Sequence, residues 1–180
     1  TGCGKTQLVE WYAAKTGRPY MRIAHTESFD KVEIFGQCQI TSGDTNFELG
    51  VLPRTFDKAY MVLGDEITRT PAGPLMTYGT LLDRRELILP EMKDAGIEPL
   101  KPVEGWSFVA ADNTKGNGDG MDKYIASNVQ DSAFLNRFDI VHDMDYLSTS
   151  AETAMLEGMG MTAANAAKLA SVSSLLHKGN

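Results

Sequence analysis

The feature that most constrains this chain is the run Ala59-Tyr60-Met61-Val62-Leu63-Gly64, which stops abruptly at two adjacent carboxylates, Asp65 and Glu66. Six residues without a charge do not suit a strand with one face in water. They fit a short strand buried on both faces, as in a parallel sheet covered by helices. Tyr20–His25 (YMRIAH) and Trp106–Ala111 (WSFVAA) read as further strands, and Phe138–His142 (FDIVH) as a last one. Between them, Thr6–Lys15 repeats its apolar residues at helical spacing and ends before Gly17, a natural helix stop. Pro71–Leu82 reads as a helix with proline near its first turn, and Met121–Phe134 as another. Strands alternating with helices predict an α/β fold around a parallel sheet. Ligands of such sheets sit at the carboxyl ends of the strands.

Two stretches interrupt this alternation. Thr26–Gly50 carries two short alternating runs around Gly43-Asp44 and reads as an inserted hairpin. Arg85–Leu89 and the region around Pro99–Val103 read as a second hairpin-rich insertion, and Gly116–Gly120 (GNGDG) as a flexible loop. From about Ser148 the pattern becomes helical and rich in alanine. Residues 1–147 are therefore expected to form the α/β domain, and 148–180 the start of a separate helical unit. No internal repeat is present.

Composition narrows the function. The net charge of −7 and the lack of any basic cluster beyond Arg84-Arg85 argue against a nucleic-acid partner. No apolar run reaches membrane-span length, and the first residues show no secretory signal pattern, so a cytoplasmic protein without a membrane partner is expected. Cys3 and Cys38 have no CxxC spacing and no histidine at ligand distance, so they read as reduced thiols. His25, His142 and His177 are scattered, away from any Ser or Cys nucleophile signature.

The chemistry lies in four short segments. Gly2-Cys3-Gly4-Lys5-Thr6, opening the first helix, has the form of the end of a Walker A loop, GxxxxGK[ST]. The pattern's first glycine would fall ahead of Thr1. Small residues let successive backbone N–H groups curl around a phosphate, and the helix aims its positive end at the anion. Lysine neutralises β- and γ-phosphate charge, and the threonine hydroxyl holds Mg²⁺. Thr1, Gly2, Cys3, Gly4, Lys5, Thr6 and Gln7 are accordingly the candidate nucleotide contacts. Asp65-Glu66, about sixty residues after Lys5, fits Walker B. Asp65 would bind Mg²⁺, directly or through water, and Glu66 would orient and polarise the attacking water.

The other two segments are single polar residues at strand ends. Asn113 follows Phe108-Val109-Ala110-Ala111-Asp112 and can reach a γ-phosphate or the lytic water from a neighbouring strand. An Asp-Asn pair that merely starts a turn is the plainer reading. Arg137 sits between apolar anchors in Phe134-Leu135-Asn136-Arg137-Phe138-Asp139. A planar guanidinium suits phosphate contact and transition-state charge, though a surface ion pair would also account for it.

In this order the four segments resemble the AAA+ ATPases, and within them the branch of MoxR, CobS and dynein-related proteins. Phe47-Glu48-Leu49-Gly50-Val51-Leu52 is similar to that branch's F-x-x-G-x-L segment, and Asp65–Pro71 (DEITRTP) to its DEINRAP-like extension. Trp106–Thr114 matches the sensor-1 strand, with Asn113 at the sensor position. Leu135–Asp139 looks like an LxxRFD arginine finger. The glycine-rich loop and Met121–Tyr124 are similar to CobS-like members in particular.

The resemblance implies a P-loop NTPase sheet sandwiched by helices and a homo-oligomeric, hexameric ring with ATP and Mg²⁺ at subunit interfaces. Arg137 would act on a neighbour's nucleotide, with Arg69 at the same interface and the hairpins facing a pore or partner. It also implies that the first strand and part of the helical lid are missing, as in a fragment that would bind nucleotide weakly alone. No sensor-2 arginine can be assigned in 148–180.

Two functions follow. One is an ATP-driven motor that remodels or activates a client or adaptor protein of unknown identity, as in chelatase-type rings; Glu66 favours it. The other is a nucleotide-dependent structural switch with little turnover. A small-molecule kinase fits less well, because no basic clamp for an acceptor is present.

Overall fold

The computed structural model describes residues 2–41, 43–113 and 132–178. The expected loop at 116–120 lies outside them, as does the expected helix from Met121 except for its last residues. The chain divides into two compact units, Thr6–Val141 and Thr1–Lys5 with His142–Asn180.

In the larger unit, β1 (Tyr20–Ala24), β4 (Met61–Asp65) and β5 (Ser107–Ala111) form a parallel sheet in the order β1-β4-β5. β4 is the middle strand and every one of its residues is buried. That is the outcome its unbroken apolar run requires. Among the described residues β5 pairs with β4 alone, and just Ala111 is buried in it. The three strands begin together because Arg18 ties them. Its guanidinium donates to the carbonyls of Ala59 at 3.1 Å and Tyr60 at 3.0 Å and to Ser107 Oγ at 2.9 Å. Helix α1 (Lys5–Lys15) leads into this tie, closing with Arg18 N–H on Ala13 O at 2.9 Å.

After β1 comes a helical turn, α2 (Lys31–Phe35). Asp30 caps it by accepting from the backbone of Val32 and Glu33. β2 (Gly36–Thr41) and β3 (Asp44–Leu49) then pair antiparallel from Gly36↔Leu49 to Thr41↔Asp44, as expected for the inserted hairpin.

Three expectations give way. Pro71–Leu82 is not one helix but α3 (Ala72–Leu75), a 3₁₀ turn (Met76–Tyr78) and α4 (Gly79–Arg84). Leu75, Tyr78 and Leu81 are its buried anchors. Their spacing of three is the 3₁₀ period, so the chain tightens to bring all three onto the core. The second hairpin reduces to one bridge, Leu87↔Leu100, with the short helix α5 (Pro90–Asp94) between its arms. Pro90, Pro99 and Pro102 have no N–H to extend a ladder. Phe138–His142 forms no strand. Phe138 is held instead by ring packing on Phe134 and Phe108, beside α6 (Ser132–Leu135), while Ile140 and Val141 are exposed.

The smaller unit contains α7 (Thr149–Gly158) and α8 (Ala163–Lys178), which pack on each other. Ser148 caps α7, its Oγ accepting from Ala151 N–H at 3.3 Å. No helix among the described residues is long and apolar enough to cross a membrane.

Candidate functional site

The carboxyl end of the sheet gathers most of the polar residues singled out above. Asp65 is the last residue of β4, and its register partners are Ala24 in β1 and Ala111 in β5. Residues following all three strands therefore emerge side by side. Thr6, near the start of α1, donates from Oγ1 to Asp65 Oδ2 at 3.1 Å, bridging fifty-nine positions of sequence. Asp112, just past β5, accepts from Thr68 N–H through Oδ2 at 2.7 Å and from Asn113 N–H through Oδ1 at 2.6 Å. This carboxylate pins the turn after β4 to the turn that carries Asn113.

Glu66 adopts the left-handed conformation, φ 54° and ψ 44°. A non-glycine residue holds that conformation only where its surroundings impose it, commonly at functional sites. Here the imposition comes from both directions: β4 is locked into the core, and a 3₁₀ turn (Ile67–Arg69) starts at once. The Glu66 carboxylate meets Arg69 Nε at 3.0 Å.

Asp65 is 9 % exposed at its side chain and has a cationic neighbour that sequence reasoning overlooked. Arg22 of β1 reaches the same Oδ2 with Nε at 2.8 Å and Nη2 at 2.7 Å. Arg22 lies opposite Leu63, two residues before Asp65, so both side chains fall on one face of the sheet. A lone arginine inside the apolar run YMRIAH was the available signal: a charge within a strand needs a partner.

Behind this edge His25 is 1 % exposed. Its backbone N–H donates to Asp65 O at 2.9 Å, its Nδ1 lies 3.2 Å from Ile23 O and 3.3 Å from Asp65 O, and its Nε2 lies 3.0 Å from Tyr78 Oη. Two carbonyls at Nδ1 require the proton there, so Nε2 accepts from the tyrosine hydroxyl. Burial lowers the His25 pKa, against the opposing pull of the Asp65 and Ile23 carbonyls. Burial likewise raises that of Tyr78. The neutral pair fixes the backbone from which Asp65 and Glu66 project.

Arg137 is turned onto α4, ion-paired with Asp83 and 3.5 Å from Gly79 O. Gly2 and Gly4 both have positive φ, 82° and 89°, the backbone freedom an anion-cradling turn uses. Lys5 Nζ lies 3.6 Å from Cys3 Sγ, and Gln7 is exposed on α1. Thr1 is outside the described residues. Cys3 and Cys38 are free thiols.

The Thr6–Asp65 pair suits a magnesium ion. Two ligands at right angles on an octahedral cation, each ~2.1 Å away, lie ~3 Å apart. Both atoms are hard oxygen donors, and their separation of 3.1 Å matches. Among the described residues no cluster of three or more His, Cys, Asp or Glu side chains offers an all-protein metal cage. A site of two protein oxygens is what a phosphate-bound Mg²⁺ needs, since phosphates and waters complete its shell.

Comparison with known proteins agrees with the fold and the family. Residues 1–138 match the AAA domain (dynein-related subfamily). Midasin of Dictyostelium discoideum is 33 % identical over 144 residues, 79 % of this chain and 2 % of midasin. "Putative chaperone BssE" of Thauera aromatica is 27 % identical over 175 residues, 95 % of this chain and 57 % of that protein. Protein NorQ of Paracoccus denitrificans (strain Pd 1222) is 29 % identical over 113 residues, 63 % of this chain and 41 % of NorQ. The chain thus spans little more than half, or less, of the relatives it matches. The crystal structure of a "putative ATPase" from Cytophaga hutchinsonii ATCC 33406 superposes over 89 % of this chain and 45 % of its own, with a TM-score of 0.53 and 14 % identity.

Proposed function

Because the chain belongs to the dynein-related subfamily of AAA domains, we propose that it binds Mg²⁺-ATP and hydrolyses the β–γ phosphoanhydride to drive change in a client protein. The observation that carries this reading is the 3.1 Å contact between Thr6 Oγ1 and Asp65 Oδ2, with Glu66 and Asn113 at neighbouring strand ends. When bound, Mg²⁺ supplies charge neutralisation across the β- and γ-phosphate oxygens.

The chain's own residues do the rest. Gly2–Gly4 and the start of α1 offer backbone N–H groups to the phosphates, and Lys5 adds a charge. Thr6 and Asp65 hold the cation. Glu66 orients a water and takes its proton, and Asn113 holds that water or the γ-phosphate. Arg69, paired with Glu66 at 3.0 Å, restrains this carboxylate and belongs to the face on which a neighbouring subunit packs. Arg137 completes that neighbour's site in trans, which requires it to leave Asp83.

A hexameric homo-oligomer is the assembly such a shared site calls for. BssE bears the name of a chaperone, which supports a remodelling role with an unidentified client, chelatase-type work being one form of it. Two free thiols, Cys3 and Cys38, suit a reducing compartment such as the cytoplasm. The alternative, a switch that binds nucleotide with little turnover, draws support from the engagement of Glu66 by Arg69.

Phosphate release by the wild type and by Glu66→Gln decides between them. The motor reading expects Glu66→Gln to keep ATP binding and lose roughly 10²–10⁴-fold in turnover, the usual contribution of a general base. Equal, low release by both would leave the switch.

A further inference from the structure

We infer that Arg22 is a built-in competitor for the magnesium ion: it holds Asp65 as a counter-charge and must release it for the metal to load. The inference rests on the proposed assignment of Thr6 and Asp65 to Mg²⁺.

Three donors converge on one oxygen. Asp65 Oδ2 receives Thr6 Oγ1 at 3.1 Å, Arg22 Nε at 2.8 Å and Arg22 Nη2 at 2.7 Å. A carboxylate oxygen has room for about two such partners. A cation held between Thr6 Oγ1 and the Asp65 oxygen it touches would sit against this same Oδ2, where it and the guanidinium would repel each other. The neighbours differ in how freely they can leave. Asp65 is 9 % exposed and fixed at the end of a buried strand, whereas the Arg22 side chain is 53 % exposed. Arg22 is therefore the group that moves, and its long stem can carry the guanidinium into water at little cost.

The arrangement serves two purposes at once. A carboxylate this buried and unpaired would destabilise the sheet edge, so Arg22 supports the fold whenever the metal is away. The same ion pair sets a threshold, because the cation must bind more favourably than the guanidinium it displaces. Half-exposed pairs are weak, so the threshold is modest, roughly three- to tenfold in metal affinity.

The test compares wild type, Arg22→Gln and Arg22→Lys, using Mg²⁺ titrated calorimetrically in the presence of a non-hydrolysable ATP analogue, and thermal unfolding in EDTA. Arg22→Gln should lower the half-saturating Mg²⁺ concentration three- to tenfold. It should also lower the unfolding temperature in EDTA, with Mg²⁺ and the analogue restoring more of it than they add to wild type. Arg22→Lys, a more hydrated point charge without the fork, should shift the Mg²⁺ value in the same direction by less, and it carries the test if Arg22→Gln does not fold. An unchanged or higher half-saturation in the variants overturns the inference and makes Arg22 a support that stays in place. A wild type that takes up no Mg²⁺ with the analogue defeats the proposed function itself, and this inference with it.

Discussion

β4 and the β2–β3 hairpin are both regular strand structure, yet they are held in opposite ways. In β4 all five residues are buried, each side is paired, and the strand ends in a carboxylate gripped by two other elements. The hairpin has a complete ladder of its own, but β3 is almost wholly exposed and Ile40 is 80 % exposed. One element is enclosed by the core, whereas the other keeps its own ladder and touches the rest of the unit through Phe47, packed against the core, and Cys38 Sγ, 3.4 Å from Glu91 O. The candidate site stands on the first, where Thr6 Oγ1 meets Asp65 Oδ2 at 3.1 Å. The second leaves its side chains available to face another molecule at little expense to the fold.

Substitutions can sharpen or break this contrast. The largest effect is expected at Gly64, where a β-carbon would lie 2.8 Å from Phe108 Cζ and 3.1 Å from His25 Cε1. Gly64→Val should lower unfolding stability by about 3 kcal/mol, the upper part of the usual range for an overpacked core, measured by denaturant titration. Tyr78→Phe comes next. It strands His25 Nε2 as a buried acceptor and should cost about 1–3 kcal/mol in the same assay. Loss well below 1 kcal/mol would mean that His25 does not anchor the Asp65 backbone.

A smaller effect should appear with pH. The folded-state pKa of His25 lies below its ordinary 6.5, so the native state prefers the neutral ring. Its contribution is fully present above about pH 6.5 and is lost as pH falls below that value, while the unfolded chain takes up the proton first. Unfolding free energies measured in metal-free buffer from pH 8 to 5 should decline in wild type and decline less in His25→Gln. The smallest effect belongs to the hairpin: Ile40→Ser should change stability by no more than about 0.5 kcal/mol. A loss beyond 1 kcal/mol would erase the contrast between the two regions.

The same contrast explains what could be read in advance. β4 was legible because burial on both faces leaves an uninterrupted apolar run, β1 and β5 as short runs that are mostly apolar though less buried, and the hairpin because alternation broke at Gly43-Asp44. Lys5-Thr6, Asp65-Glu66 and Asn113 could be proposed from sequence because phosphate and metal chemistry favours particular residue types at strand and helix ends. The division of Pro71–Leu82 was not, since helix and 3₁₀ turn share most of their spacing and only the core's demand on Leu75, Tyr78 and Leu81 separates them. Arg22, His25 and Asp112 were missed for a different reason. Each acts through a partner supplied by another strand or turn, Asp65, Tyr78 and Thr68 in turn, and strand register is not written in local sequence.

In the proposed function Thr6 and Asp65 together hold a cation that carries the nucleotide's phosphates. Calorimetric ATP binding by wild type and Asp65→Asn, with Mg²⁺ and in EDTA, tests it most directly. Asp65→Asn should weaken binding about tenfold or more with Mg²⁺ and leave the residual binding in EDTA unchanged, a loss in line with one charge-assisted contact of about 1.5–3 kcal/mol. An equal loss in both conditions, or none in either, would contradict it.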